Sequence, residues 1–198
     1  CQFFDSDIAR GIDIAIAARA RVINLSLGGG KPSSTFTNAV RRATQAGIVV
    51  VVAAGNDGDT TDPALDPNNP DPFAIATLGQ GNGAVIIVGS VDDSGQFSDF
   101  SNRAGDYADG FLSARGERIC CVYENGEIQV TEQNGQSFVS LFSGTSFATP
   151  QVAGAVALLA QAFPNLTGQE IVEILLDTAR DAGATGTDST YGRGILDL

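Results

Sequence analysis

The segment Ile48-Val49-Val50-Val51-Val52-Ala53-Ala54 constrains the fold more than any other part of the sequence. It is apolar at every position and begins with a β-branched run, whose restricted χ1 freedom favours extended backbone over helix. A strand with one solvated face alternates apolar and polar residues, whereas an uninterrupted apolar run needs cover on both faces. This predicts a central strand sandwiched between two layers of helices. Ala84 to Val91 (AVIIVGSV) has the same character. Asp5 to Ala20 places Ile8, Ile12, Ala15 and Ile16 on one helical face, and Val22 to Leu27 reads as a strand stopped by Gly28-Gly29-Gly30. Ser33 or Ser34 can cap a helix bearing Phe36, Val40 and Ala43, with Gly47 as its stop. Helix, strand, helix, strand, a Gly55–Pro72 loop and another strand together predict an α/β fold, a mainly parallel sheet flanked by helices.

After Gly116 the pattern changes to hairpins. Asn125-Gly126, between Cys120-Cys121-Val122-Tyr123 and Ile128-Gln129-Val130, is a two-residue turn signal. Two helices follow, about 147–162 and 167–182, the second opening with Thr167 and Glu170 in capping-box spacing. Nothing marks an internal boundary, so residues 1–198 read as one domain.

A net charge of −12 leaves no basic face for phosphates, which excludes nucleic acid as a partner. No apolar run approaches the roughly 18 residues of a membrane-spanning helix. The Asp57, Asp59, Asp62, Asp66 and Asp71 series lacks EF-hand spacing and reads as a solvated loop. No metal-binding residue is assigned and no cofactor is required; a structural calcium is the one cofactor that the acidity leaves open. Cys1, Cys120 and Cys121 show neither zinc nor redox spacing. Cys120 and Cys121 read as ordinary strand residues, with a vicinal disulfide as the alternative. The chain contains no histidine.

Ser143-Gly144-Thr145-Ser146-Phe147-Ala148-Thr149-Pro150 puts a serine on a glycine-led turn at the mouth of an apolar helix. Unpaired N–H groups there favour negative charge developing on a bound carbonyl oxygen. Pro150 is expected in the first helical turn, where its missing N–H is harmless. A serine before a helix is commonly only a cap. The octet is longer than that, and Ala148 replaces the second glycine of a GxSxG elbow.

SGTSFATP followed by VAGAVALL resembles the nucleophile motif of the subtilase (subtilisin-like, S8) serine proteases, and further segments match in order across essentially the whole chain. Val52-Ala53-Ala54-Gly55-Asn56-Asp57-Gly58 resembles the family's oxyanion-hole segment, which implies that Asn56 donates its amide to the oxyanion. Ile23-Asn24-Leu25-Ser26-Leu27-Gly28-Gly29 resembles the substrate-binding strand. The resemblance implies that Ser26, Leu27 and Gly28 form one wall of the specificity pocket and Ala53, Ala54 and Gly55 the other, around a roomy apolar space. Phe97 to Asn102 and the closing Tyr191 to Asp197 also match. The stretch FSNRAGDYADGFLSARG, with YGRGILDL, looks most like the passenger domains of autotransporter proteases. That likeness implies a secreted or cell-surface enzyme whose full-length form is tethered to the outer membrane.

In the family the catalytic Asp and His precede the substrate-binding strand, so this sequence reads as a partial catalytic domain that begins after both and lacks the N-terminal strands. Serine needs a base to take its proton. Lys31, the sole lysine, stands where the family places a substrate-facing loop. The expectation is a serine endopeptidase that is inactive as this chain alone, with polypeptide as substrate. The uncovered sheet edge predicts self-association or pairing with the missing N-terminal segment. Two alternatives remain: a non-catalytic peptide-binding pseudoprotease, and a sedolisin-like serine-carboxyl peptidase. The latter resembles the subtilases in fold but carries an aspartate where Asn56 stands.

Overall fold

The structure, a computed structural model, describes residues 3–121 and 123–197. The start at Cys1-Gln2 and Val122 of the expected first hairpin lie outside the described residues. The core is a four-stranded sheet of β1 (Val22–Leu25), β2 (Val49–Ala53), β3 (Val85–Val91) and β4 (Phe111–Arg115), all pairs parallel and in sequential order. Asn24 and Ile86 flank Val51 on its two sides, and every residue of β2 and β3 is buried.

The pleat sends alternate valines of β2 to opposite layers. Val50 and Val52 pack with Ile12 of α1 (Asp5–Ala17), Phe36 and Val40 of α2 (Ser34–Gln45), and Phe73 of α3 (Pro72–Leu78). Val49 and Val51 pack with Val152 and Val156 of α4 (Thr145–Ala162) and with Ile171 and Leu175 of α5 (Gly168–Asp177). Each buried valine contributes about 1.5–3 kcal/mol relative to exposure. Cover on both faces is what an apolar residue at every position of this strand requires. β1 is an edge strand in the described residues, with Val22 and Ile23 half-buried and Asn24 exposed.

Several boundaries differ from the sequence reading. α1 stops at Ala17 rather than Ala20, because Arg19 turns left-handed at φ 56°. β1 ends at Leu25, so Ser26 and Leu27 leave the ladder. α5 ends at Asp177, five residues short of the expected 182, although the Thr167–Glu170 capping box forms in full. α3, with a proline in its first turn, lies past the 55–72 loop where no helix was expected. The closing segment meets β4 through a bridge of Ser113 with Ile195 and a hydrogen bond from Arg193 N–H to Phe111 O.

The hairpin region contains β5 (Ile119–Cys120), β6 (Tyr123–Glu124), β7 (Glu127–Ile128), β8 (Val130–Gln133), β9 (Gln136–Val139) and β10 (Leu141–Phe142). Asn125-Gly126 turns β6 into β7 as expected, with both residues at positive φ. Asn134-Gly135 does the same between β8 and β9. The sulfurs of Cys120, on β5, and Cys121, just past it, are joined as a vicinal disulfide. That is the alternative the sequence left open, in place of two ordinary strand residues.

Candidate active site

The candidate residues gather at the carboxyl ends of β1 and β2 and the first turn of α4, the edge where parallel α/β sheets place their ligand sites. Ser146 is the second residue of α4 and is half-exposed. The first N–H of the helix, on Thr145, donates to Asn56 Oδ1 at 2.8 Å, and Thr145 Oγ1 lies 3.0 Å from the same oxygen. Of the two amide atoms only the oxygen accepts from an N–H, so the amide orientation is set and Asn56 keeps Nδ2 as a donor. Among the described residues neither Asn56 Nδ2 nor the Ser146 N–H has a hydrogen-bond partner. Asn56 is exposed at the end of β2, beside the turn that carries the serine. Two donors without a partner among the described residues, one on a side-chain amide and one at a helix N-terminus, thus lie at the turn that carries the half-exposed serine. That arrangement can stabilise an oxyanion.

Pro150 is not in the first turn. α4 begins at Thr145, which makes Pro150 its sixth residue. There its missing N–H leaves the Ser146 carbonyl without an intrahelical donor. Ser26 Oγ fills the gap, donating to Ser146 O at 2.8 Å, while Asn24 Nδ2 donates to Ser26 Oγ at 2.9 Å. One hydroxyl therefore ties the segment after β1 to the backbone of the candidate nucleophile. Ser26 and Thr145 act here as positioning residues, roles that residue type alone did not disclose.

Past β1, Leu27 is half-buried and Gly28 exposed, and neither makes a backbone hydrogen bond among the described residues. Ala53, Ala54 and Gly55 are buried at the end of β2. An open groove of about 540 Å³ follows Ser26, Leu27 and Gly28, with Phe3, Phe4, Ile8 and Phe73 along its other side.

The space between the two expected walls is not simply apolar. Asp71, from the acidic loop expected to be solvated, is 8% exposed. Its N–H donates to Ala54 O at 2.7 Å, and its Oδ2 accepts from Gly29 N–H at 2.8 Å. A Cβ on Gly28 would stand 2.4 Å from Oδ2, and one on Gly55 would stand 2.6 Å from Oδ1. The carboxylate occupies the side-chain space of both glycines, and at Gly55 a φ of 114° favours glycine as well. Burial, reinforced by the nearby Asp57, pushes the Asp71 carboxyl up to about 6 despite the Gly29 hydrogen bond. The Gly55–Asn56–Asp57 turn is braced by Asn102, whose Oδ1 accepts from Asp57 N–H at 2.7 Å and whose own N–H donates to Gly55 O. Among the described residues no three acidic, His or Cys side chains converge as metal ligands.

Residues 1–194 match the family model described as Subtilase family, Peptidase_S8. A thermostable alkaline protease of Halalkalibacterium halodurans is 35% identical over 191 residues, covering 96% of this chain and 44% of the relative. Subtilisin BL of Lederbergia lenta is 35% identical over 191 residues, covering 96% of this chain and 60% of the relative. The chain thus spans about half the length of these relatives. The solved structure of the patellamide maturation protease PatA superposes with a TM-score of 0.69 at 30% identity, covering 100% of this chain and 67% of that one. With the parallel sheet, the Asn56–Thr145 bracket and the serine at the mouth of α4, these matches place the chain in the subtilase family of serine proteases.

Proposed function

We propose that the chain is the nucleophile-bearing and substrate-binding portion of a secreted serine endopeptidase. In this reading Ser146 attacks the carbonyl carbon of a peptide bond, and Asn56 Nδ2 and the Ser146 N–H donate to the oxyanion that forms. The observation that carries it is the double engagement of Asn56 Oδ1 by Thr145, which keeps the other amide atom as a donor. Substrate lies extended along Ser26, Leu27 and Gly28, adding a strand to backbone groups that have no partner among the described residues. Its side chain on the acyl side of the scissile bond enters between that segment and Ala53, Ala54 and Gly55.

No histidine occurs in the 198 residues, so the base that accepts the serine proton comes from outside them, as an imidazole oriented by a carboxylate. Alone, the chain retains at most the residual catalysis of an oxyanion hole and binding, of order 10³–10⁴ over water. The open edge of β1 is where a further strand would pair, either from the same polypeptide or from a second copy. Extracellular action agrees with a relative named minor extracellular protease Epr of Bacillus subtilis, 30% identical over 189 residues; tethering of the full-length form to an outer membrane is the further step that the autotransporter-like segments suggest.

The absence of histidine also favours a second reading, a peptide-binding pseudoprotease that keeps the groove without catalysis. Hydrolysis of a quenched-fluorescent peptide separates the two. A polypeptide extended upstream should cleave it, its Ser146→Ala variant should not, and the 198-residue chain should be near background. An extended polypeptide with no more activity than its Ser146→Ala variant would leave only the pseudoprotease.

A further inference from the structure

We propose that Asp71 is the specificity-determining residue of the pocket and that the site selects a cationic side chain, Lys or Arg, on the acyl side of the scissile bond. The inference rests on the proposed groove and pocket walls, and it names the substrate class that they accept.

Asp71 is tied to both walls at once. Its N–H is bonded to Ala54 O on one side and its carboxylate to Gly29 N–H on the other, so it spans the pocket instead of lying beside it. The carboxylate fills the spaces left by Gly28 and Gly55, which brings the charge to the backbone edges between which the substrate side chain enters. A carboxylate this buried normally has a basic partner, because an unpaired charge is costly to desolvate. Asp71 has none. The ion pairs among the described residues are Arg10–Asp7, Arg42–Asp13 and Arg193–Asp177, all elsewhere. The charged group that acts on it is another acid, Asp57, which raises its carboxyl further through both its charge and a hydrogen bond between the two side chains. A cavity of about 300 Å³ on another flank of Asp71, lined by neither expected wall, carries Asp57, Asp66 and Asp106 and no lysine or arginine, so no basic group reaches the carboxylate from that side either. A guanidinium or ammonium group that reaches Asp71 from between the two walls meets a desolvated carboxylate, where a charge-assisted hydrogen bond is stronger than at a surface. A neutral side chain of the same shape leaves the carboxylate unpaired. This is the asymmetry that makes one buried charge a selective element.

The test uses the chain as it stands, because both pocket walls and Asp71 belong to it. Acetyl-Ala-Ala-Pro-Arg and its citrulline counterpart differ in charge but scarcely in shape, and lysine paired with norleucine gives a second comparison that needs no variant. Dissociation constants are read at pH 8 from NMR amide shifts of Gly28, Gly29 and Gly55. We expect the cationic member of each pair to bind at least about tenfold more tightly, as a desolvated hydrogen-bonded charge pair requires. In Asp71→Asn the arginine-to-citrulline ratio should fall to about one; the ratio, and neither affinity alone, is the readout. Equal binding of charged and neutral peptides through shifts at these glycines overturns the selectivity and leaves the groove intact. A preference that survives in Asp71→Asn overturns it as well. Failure of all four peptides to shift these amides overturns the groove, and the inference with it.

Discussion

Asp71→Asn should stabilise the fold, and only above the acidic range. In an unfolded chain this carboxyl ionises at the ordinary aspartate value of 3.8, whereas in the fold burial and Asp57 push it up to about 6. Below 3.8 both states are protonated and burial costs little. As pH rises toward 6 the unfolded state releases its proton first, so stability declines, and above 6 the folded state carries the whole cost of a buried charge. At about 1.36 kcal/mol per pH unit the loss is about 3 kcal/mol. Asparagine keeps an oxygen for Gly29 N–H and the same shape but does not ionise. The advantage of the variant should therefore be about 0.5 kcal/mol at pH 4, grow through pH 5, and level off near 3 kcal/mol by pH 7 to 8. For a domain of this size that corresponds to a rise in Tm of about 6–12 °C. Urea unfolding of both proteins between pH 4 and 8 gives the difference curve, which cancels the exposed carboxylates Asp66, Asp92 and Glu170. Those three, held below their ordinary values by hydrogen bonds, act in the opposite sense and weaken the fold as pH falls. A variant that is less stable at pH 8, or whose advantage does not change with pH, would refute the account of Asp71 as a buried, unpaired charge.

Ser26→Ala should cost about 1–2 kcal/mol, because it orphans the Ser146 carbonyl that Pro150 leaves without a donor. Pro150→Ala restores an intrahelical N–H, so the double variant should recover much of that loss, as a positive coupling in a double-mutant unfolding cycle. Asn56→Ala in an active, upstream-extended polypeptide should lower kcat by about 10²–10³ with little change in KM; this is the loss known for the corresponding amide of subtilisin, a relative of this chain. Thr167→Ala should cost about 1 kcal/mol by breaking the capping box of α5, read from the urea midpoint. Light scattering after size exclusion should show the chain associating through the open edge of β1, and a monodisperse monomer would contradict that expectation.

The layered core was legible because its signals are local and redundant. Val49 to Val52 are apolar at consecutive positions, and the structure uses the alternate ones on opposite faces. Thr167 and Glu170 declare a capping box within four residues, and Asn125-Gly126 declares its turn. Asn134-Gly135 carries the same turn signal and was readable in principle. What escaped depends on distant partners. Asp71 looks like any other acid in a loop of aspartates, and only the fold brings it against Gly29, 42 residues away, and into the bare space of Gly28 and Gly55. A carboxylate therefore lies between the walls where the small residues suggested an apolar space. Pro150 was misplaced because α4 starts at Thr145, ahead of the apolar run at Phe147, so the Ser26 hydroxyl that its missing N–H demands was not foreseen.

The central claim is that Ser146 is a nucleophile whose oxyanion donors lie in this chain and whose base does not. Fluorophosphonate labelling with peptide mapping by mass spectrometry tests both halves together. The account predicts an adduct on Ser146 in an upstream-extended polypeptide, slowed about 10²-fold or more by Asn56→Ala, and almost none on the 198 residues alone. Rapid labelling of Ser146 in the short chain would contradict an external base. An extended polypeptide that labels nowhere, or at another serine, would contradict the nucleophile itself.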